Sequence, residues 1–457
     1  MKLFVWIWLV VSSLLLGSLS ATAETRPQYG GTLHVTTRAA PESLDPADRS
    51  VPDSFARRSL SLLMFDTLVT VDDSGRAKPA LAESWQATRG NQKWQFRLRH
   101  GVKFHDGTPF TAEAAAVSLR YVNPSWNVIA EGDNVIIERE AADPETLAEL
   151  ALPRNAIVRR ESDNMVSGTG PFHIVDWQSG RKLTLAANDD YWRGRPFFDG
   201  VEIEMGKSFH DQMTALELGR ADLVDVAPEQ THRVSQEGRR LASSAPIELL
   251  ALLFTRDASS PDERTLREAL GLSIDRGSIR SVLLQGAGQP TASLLPTWMS
   301  GYGFVFPFDA DLTKARQLRS QVRPAPAWTI GYDNNDPLAR LLAERIALNA
   351  KDAGLSLQPT SSAAADLRLA RIPLASSDPW IALEDLVAQA SLPALKSKGG
   401  SAEDLYAAEQ SALALERVIP LFHLPVFYAA TPSLKNWILH NDGSWDLADA
   451  WLENTMP

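Results

Sequence analysis

Residues 68–119 read LVTVDDSGRAKPALAESWQATRGNQKWQFRLRHGVKFHDGTPFTAEAAAVSL. Trp94, Phe96 and Leu98 alternate with Gln95, Arg97 and Arg99, the period of two expected of a strand with one face buried. His100-Gly101 turns the chain, Val102-Lys103-Phe104 resumes as a second short strand, and Asp106-Gly107 turns it again. Thr111, followed by Glu113 and the alanines 114–116, predicts the start of a helix with Thr111 as its N-cap.

The wording of this stretch resembles the family 5 extracellular solute-binding proteins. In that family AESW is followed by F-x-L-R-x-G-V-K-F-H-D-G-x-P-F-T-A-E, and here Ala82–Trp85 and Phe96–Glu113 stand at those positions. Further matches extend it. Gly30-Gly31-Thr32-Leu33 and Leu44-Asp45-Pro46 resemble the family's GGTL and LDP, and Gly168–Phe172 its GTGPF. Asn188–Gly194 resembles N-x-x-Y-W-x-G, and Ala215–Asp222 the helix-to-strand step L-x-x-G-x-x-D. Arg267–Leu270 with Ser273–Arg276 resembles R-x-A-L-x-x-A-I-D-R, Asp309–Arg316 resembles Y-D-P-x-K-A, and Pro420–Phe422 the returning I-P-L segment.

The resemblance implies an α/β, two-lobed type II periplasmic-binding-protein fold with a hinged cleft. It also implies capture of a small solute for the permease subunits of an ABC importer. Val122–Ser167 is short and charge-rich where the family carries a longer stretch, so a shortened extra domain is expected. The expected division is residues 1–23 as signal peptide, and residues 24–48, 167–246 and 420–457 as the first lobe. Residues 49–166 are the reduced extra domain and residues 247–419 the second lobe. A sensor subunit that binds solute without transport is the alternative reading, and a periplasmic hydrolase a third.

Met1-Lys2 and the apolar run Leu3–Leu16, ending at Ala21-Thr22-Ala23, read as a secretory signal peptide cleaved to leave Glu24 first. The run is shorter than the roughly 20 residues of a spanning helix. About 430 residues remain, enough for two or three domains. The chain has no cysteine, which excludes disulfides, thiolate metal sites and a lipidated anchor, and points to an unlipidated, freely diffusing periplasmic protein; a monomer is expected. Its 56 acidic against 45 basic residues argue against nucleic acid as a partner.

No G-x-S-x-G, H-E-x-x-H or G-x-x-x-x-G-K-[ST] occurs. Ser179–Lys182 fits S-x-x-K but falls in a predicted hairpin turn. His100 and His105 flank a turn and read as structural histidines, since Asp106 is the only carboxylate beside them. No enzyme activity, metal or cofactor is expected.

For the cleft, Asp45 in the LDP turn is a polar candidate, or a residue that caps its own turn. Trp298, Tyr302 and Phe304 lie in a glycine-punctuated aromatic loop of the kind that walls a ligand, or else fill the lobe's core. Asp378 and Trp380 belong to the last candidate loop. Peptide-binding members of the family hold the peptide ammonium with an aspartate in W-x-x-D-Y-P-D-P. Here Ile372–Pro379 places Ala375 at the anchoring position and Ile372 at the tryptophan, so free-amine peptides are expected to bind weakly. A slip of three residues would put Asp378 in the anchoring role.

Overall fold

Thr32–Thr36 buries Leu33 and Val35 on one face and turns His34 outward, as the TLHVT alternation requires. In the computed structural model, which describes residues 26–51, 53–88, 90–160, 165–395 and 399–453, it is the middle strand of a seven-stranded sheet. It runs parallel to Gly200–Glu204 and Leu223–Val226. Antiparallel strands flank this core: Phe172–Gln178 and Lys182–Ala187 on one side, Phe427–Ala430 and Arg240–Ser243 on the other. The carboxyl ends of the three parallel strands open on one edge of the sheet, where α/β folds place their ligands.

The second lobe is a six-stranded sheet around Glu248–Phe254, ELLALLF, which is buried along most of its length between Leu367–Pro373 and Val418–Leu424. Helices Pro261–Ser273, Leu312–Gln321 and Pro337–Asp352 cover one face; Pro379–Gln389 and Ala402–Leu413 cover the other. The chain crosses between the lobes twice, and the two crossings lie side by side. Ser244 donates its N–H to the Val426 carbonyl at 3.0 Å, and Ile247 donates to Leu424 at 2.9 Å.

The quoted stretch builds a third unit. Ala82–Thr88, Lys93–Leu98, Asn134–Glu138 and Asn127–Glu131 form a four-stranded antiparallel sheet. Trp94, Phe96 and Leu98 face inward against Ala115, Leu119 and Ile137. Thr111 caps helix Ala112–Val122, its hydroxyl accepting the Ala114 N–H at 3.2 Å. Val102–Phe104, expected as a strand, makes a single bridge from Lys103 to Pro109. The tight turn consumes its hydrogen bonds locally, Phe104 to Thr108 at 2.8 Å and Gly107 to Phe104 at 2.9 Å.

Two expected boundaries shift. Helix Phe55–Met64, assigned to the extra domain, sends Leu60, Leu63 and Met64 into the core beneath the seven-stranded sheet. Strand Val418–Leu424 lies wholly in the six-stranded sheet, so the return crossing falls at Pro425-Val426 and not at residue 420. The expected cleavage after Ala23 lies outside the described residues. Among the described residues no helix is long and apolar enough to cross a membrane.

Candidate functional site

The loop that leaves Thr32–Thr36 at its carboxyl end is held by one carboxylate. Asp225 Oδ2 accepts the Thr37 hydroxyl at 2.9 Å and the Arg38 N–H at 2.7 Å. Asp225 is half-buried in the cleft wall, and the loss of solvent pushes its pKa up despite these donors. With its backbone fixed, Arg38 sends its guanidinium past the Phe209 ring, 5.4 Å from the centroid, to Asp333 of the second lobe at 2.8 Å. Asp336 Oδ2 lies 3.7 Å from Arg38 and 3.5 Å from Arg371, while Asp336 Oδ1 caps helix Pro337–Asp352 through the Leu338 and Ala339 N–H groups. Arg371 also pairs with Glu248 at 3.0 Å. Burial works against the charge of Arg371, but Glu248 and Asp336 outweigh it and leave its pKa raised. Burial also raises the pKa of nearby Glu229.

This ionic floor bounds a cleft between the two main sheets. A cavity of about 700 Å³ is lined by Thr37, Arg38, Phe209 and Tyr428 from one lobe and by Asp333 and Arg371 from the other. A neighbouring cavity of about 340 Å³ shares Arg38, Asp333 and Arg371, and reaches Asp53 and Pro373. Asp53 also borders a third cavity, of about 680 Å³, with Arg57, Arg58, Arg154, Ala375 and Asp385 in its wall. Aromatic faces with paired charges are the walls that hold a polar organic solute.

None of the six residues singled out from the sequence contributes to these linings. Asp45 grips Arg160 at 2.7 and 2.8 Å and caps its own turn through the Ala47 N–H, in the wall of a separate groove of about 1510 Å³ between the first lobe and the extra domain. Trp298 lies beside the hinge, its indole N–H donating to the Pro246 carbonyl at 2.9 Å. Tyr302 packs edge-on against Tyr406, with ring centroids 5.3 Å apart. Phe304 is 74% exposed. Asp378 Oδ1 accepts the Trp380 and Ile381 N–H groups as the cap of helix Pro379–Gln389. Trp380 is buried in the second lobe's core, because the helix register turns it inward with Leu383 and Val387. Ala375, the expected ammonium-anchor position, does line the cleft.

The sequence reading missed Arg38, Asp333 and Arg371, which no local pattern unites. Two signals pointed toward them: Arg38 follows the first strand's carboxyl end, and Asp336-Pro337 opens a helix with an N-cap signature.

Several of the matched motifs instead meet at one structural junction. Asp66 accepts hydrogen bonds from the Thr169 hydroxyl at 2.8 Å, the Trp192 indole at 3.0 Å and the Tyr191 hydroxyl at 3.2 Å. Burial pushes its pKa up to about 6. The Gly170 carbonyl faces His105 Nε2 at 3.0 Å, and burial holds that imidazole down at about 4, so it is neutral at pH 7.

Comparison with known proteins agrees with this architecture. Residues 76–373, more than half of the chain, match the model for bacterial extracellular solute-binding proteins, family 5 Middle. The nickel-binding protein NikA of Staphylococcus aureus is 26% identical over 279 residues, covering 58% of this chain and 55% of that protein. Di/tripeptide-binding protein 2 of Pseudomonas aeruginosa is 28% identical over 363 residues, covering 68% of each. The chain thus spans little more than half the length of the first relative. A crystal structure of a dipeptide-binding protein from Pseudoalteromonas sp. SM9913, in complex with Met-Leu, superposes with a TM-score of 0.79 at 17% identity, over 93% of this chain and 100% of that one. The fold is the two-lobed type II periplasmic-binding-protein fold.

Proposed function

The chain belongs to the bacterial extracellular solute-binding proteins of family 5, and we propose that it captures a small solute in its interlobe cleft and delivers it to the permease of an ABC importer. The observation that carries the reading is the cleft itself. Its walls come from two lobes joined by two adjacent, hydrogen-bonded crossings, so a rotation about that junction opens and closes it. Capture needs no bond-making group, and the charged side chains of the cleft floor are engaged with one another. Solute binds one face, the lobes close, and the closed form docks on the membrane partner.

The lobe boundaries that accompany this reading follow the sheets. The second lobe is residues 247–424, the extra domain begins after Phe65, and the remainder is the first lobe. Periplasmic location after removal of residues 1–23, a monomeric state and the absence of catalysis belong to the same proposal. The test is mass spectrometry of small molecules released by denaturing protein purified from its native periplasm, followed by scattering with the identified compound. A stoichiometric compound that shrinks the radius of gyration supports capture. Protein that carries no small molecule, and stays unchanged in shape across a solute library, removes it.

A further inference from the structure

Two arginines pair with carboxylates across the cleft, one at each end. Arg38, on the first lobe, meets Asp333 at 2.8 Å and lies 3.7 Å from Asp336, on the same lobe as Asp333. Arg154, from the extra domain, grips Glu149 through Nε and Nη2 and extends Nη1 to Asp385 at 2.8 Å, on the second lobe's helix Pro379–Gln389. We propose that these two pairs are electrostatic latches that hold the lobes closed, so that closure, and with it solute retention, weakens as salt rises.

The geometry separates these pairs from their neighbours. Arg371 and Glu248 stand on adjacent strands of one sheet, so their ion pair survives any rotation of the lobes. Arg38–Asp333 and Arg154–Asp385 join different lobes and must break when the cleft opens. Each arginine is already positioned on its own side. Asp225 holds the Arg38 backbone, with its own N–H donating to Gln212 Oε1 at 2.8 Å, and Glu149 holds Arg154 in a bidentate grip. Ordering a long side chain is the usual cost of a surface ion pair. Glu149 orders the Arg154 guanidinium before closure, while Arg38 has its backbone fixed and its guanidinium 5.4 Å from the Phe209 ring of its own lobe. The partners remain partly in water, with side-chain exposures of 29% and 53% for Arg38 and Asp333 and 32% and 25% for Arg154 and Asp385. Screening therefore reaches them, and each shifts the closed-to-open ratio by about two- to fivefold. A solute's apparent affinity scales with the closed-competent fraction, so the latches also set how much solute is needed for capture.

The proposal rests on the hinged two-lobe reading but on no solute, and its test uses none, so a failed search for solute leaves it open to measurement. The chain has no cysteine, so Gln178→Cys on the first lobe and Lys351→Cys on the second, both exposed, give a unique spin-label pair for pulsed dipolar distance measurement. The short distance is expected to dominate at low salt and to lose population in about 1 M sodium chloride, where the screening length is about 3 Å. Arg38→Gln and Arg154→Gln should each move population to the longer distance at low salt. The exchange of charges in Arg38→Asp with Asp333→Arg should bring back only part of it, because Asp336, 3.7 Å from the Arg38 guanidinium, would then face an aspartate. Distributions unchanged by salt and by both single variants would overturn the proposal.

Discussion

The Gly170 N–H donates to the Met64 carbonyl at 3.0 Å, and a β-carbon added to Gly170 would lie 2.5 Å from the Met64 carbonyl carbon and 2.7 Å from the Phe65 nitrogen. The contact is backbone against backbone, so no side-chain rotation relieves it. It joins the end of helix Phe55–Met64 to the strand that starts at Phe172, which explains a glycine here without appeal to ligand. Gly170→Ala should lower stability by about 3 kcal/mol or more, as overpacking of a closed backbone contact does. Urea unfolding measures it, and a loss below about 1 kcal/mol would show that the helix end yields.

Asp66 offers a pH signature. Its folded pKa is about 6 against an ordinary 3.8. Between those values the folded protein keeps a proton that the unfolded chain releases. The stability contributed by the neutral acid is therefore complete below about pH 4 and is lost as pH rises through about 6. Asp66→Asn cannot titrate. The stability of the parent minus that of Asp66→Asn should fall between pH 4.5 and pH 7, read from urea midpoints at each pH. A difference that is flat with pH would mean that Thr169, Tyr191 and Trp192 stabilise the carboxylate more than burial penalises it.

Arg276, the last residue of the matched R-x-A-L motif, is buried and bonds only to carbonyls: Pro420 at 2.8 Å, Phe308 at 3.1 Å and Gly271 at 3.3 Å. Burial drops its pKa to about 10, so it stays charged at pH 7. Arg276→Lys should cost nearly as much as Arg276→Ala, about 3 kcal/mol, because an ammonium cannot spread its donors over carbonyls on three segments. Chemical denaturation of both variants is the check, and full recovery by lysine would assign the role to charge alone.

For solute, the cleft and the aromatic loop separate cleanly. Phe209→Ala, which removes a cavity wall and the ring beneath Arg38, should weaken binding of the solute found by mass spectrometry by about 1–3 kcal/mol. Phe304→Ala should leave it within error. Titration calorimetry that gives the reverse order would move the site to the loop.

Ala375 in the cleft wall argues against an ammonium anchor at that position. Asp378, three residues on, uses Oδ1 to cap a helix. Peptides of two to five residues should bind no tighter than about millimolar, near 4 kcal/mol of binding free energy. Micromolar binding that vanishes on N-acetylation of the peptides is the result that sinks this expectation.

What the sequence made legible was periodic or punctuated. The alternation in Phe172–Gln178 and Lys182–Ala187 around Ser179-Gly180 predicted a hairpin, and the two strands pair there with Gly180 at φ +65°. The Thr111 cap and the apolar run to Phe254 were local in the same sense. The cleft was not. Arg38 meets Asp333 across 295 positions, and Arg154 meets Asp385 across 231, and no periodicity relates residues on separate lobes. The aromatic loop stands apart from the cleft linings for a physical reason. Aromatic side chains signal burial or contact, and here the contact is with the hinge carbonyl of Pro246 and with Tyr406.

Arg240–Ser243 and Phe427–Ala430 are antiparallel neighbours, register-matched from Arg240 against Ala430 to Ser243 against Phe427. Everything between them is the second lobe with its two crossings, so that lobe is an insertion inside what is otherwise a β-hairpin. A chain emerging from its amino end cannot finish the first sheet until nearly its last strand appears. The inserted lobe has all its strands by then and brings Ile247 and Leu424 into hydrogen-bond contact. Its prior folding shrinks a long loop closure to the span of an ordinary turn, removing most of an entropic cost that grows with loop length. The nesting thus predicts an order of folding, insert first and host last, with the open edges of strands Leu223–Val226 and Arg240–Ser243 waiting in the interval as the surfaces most exposed to misassembly.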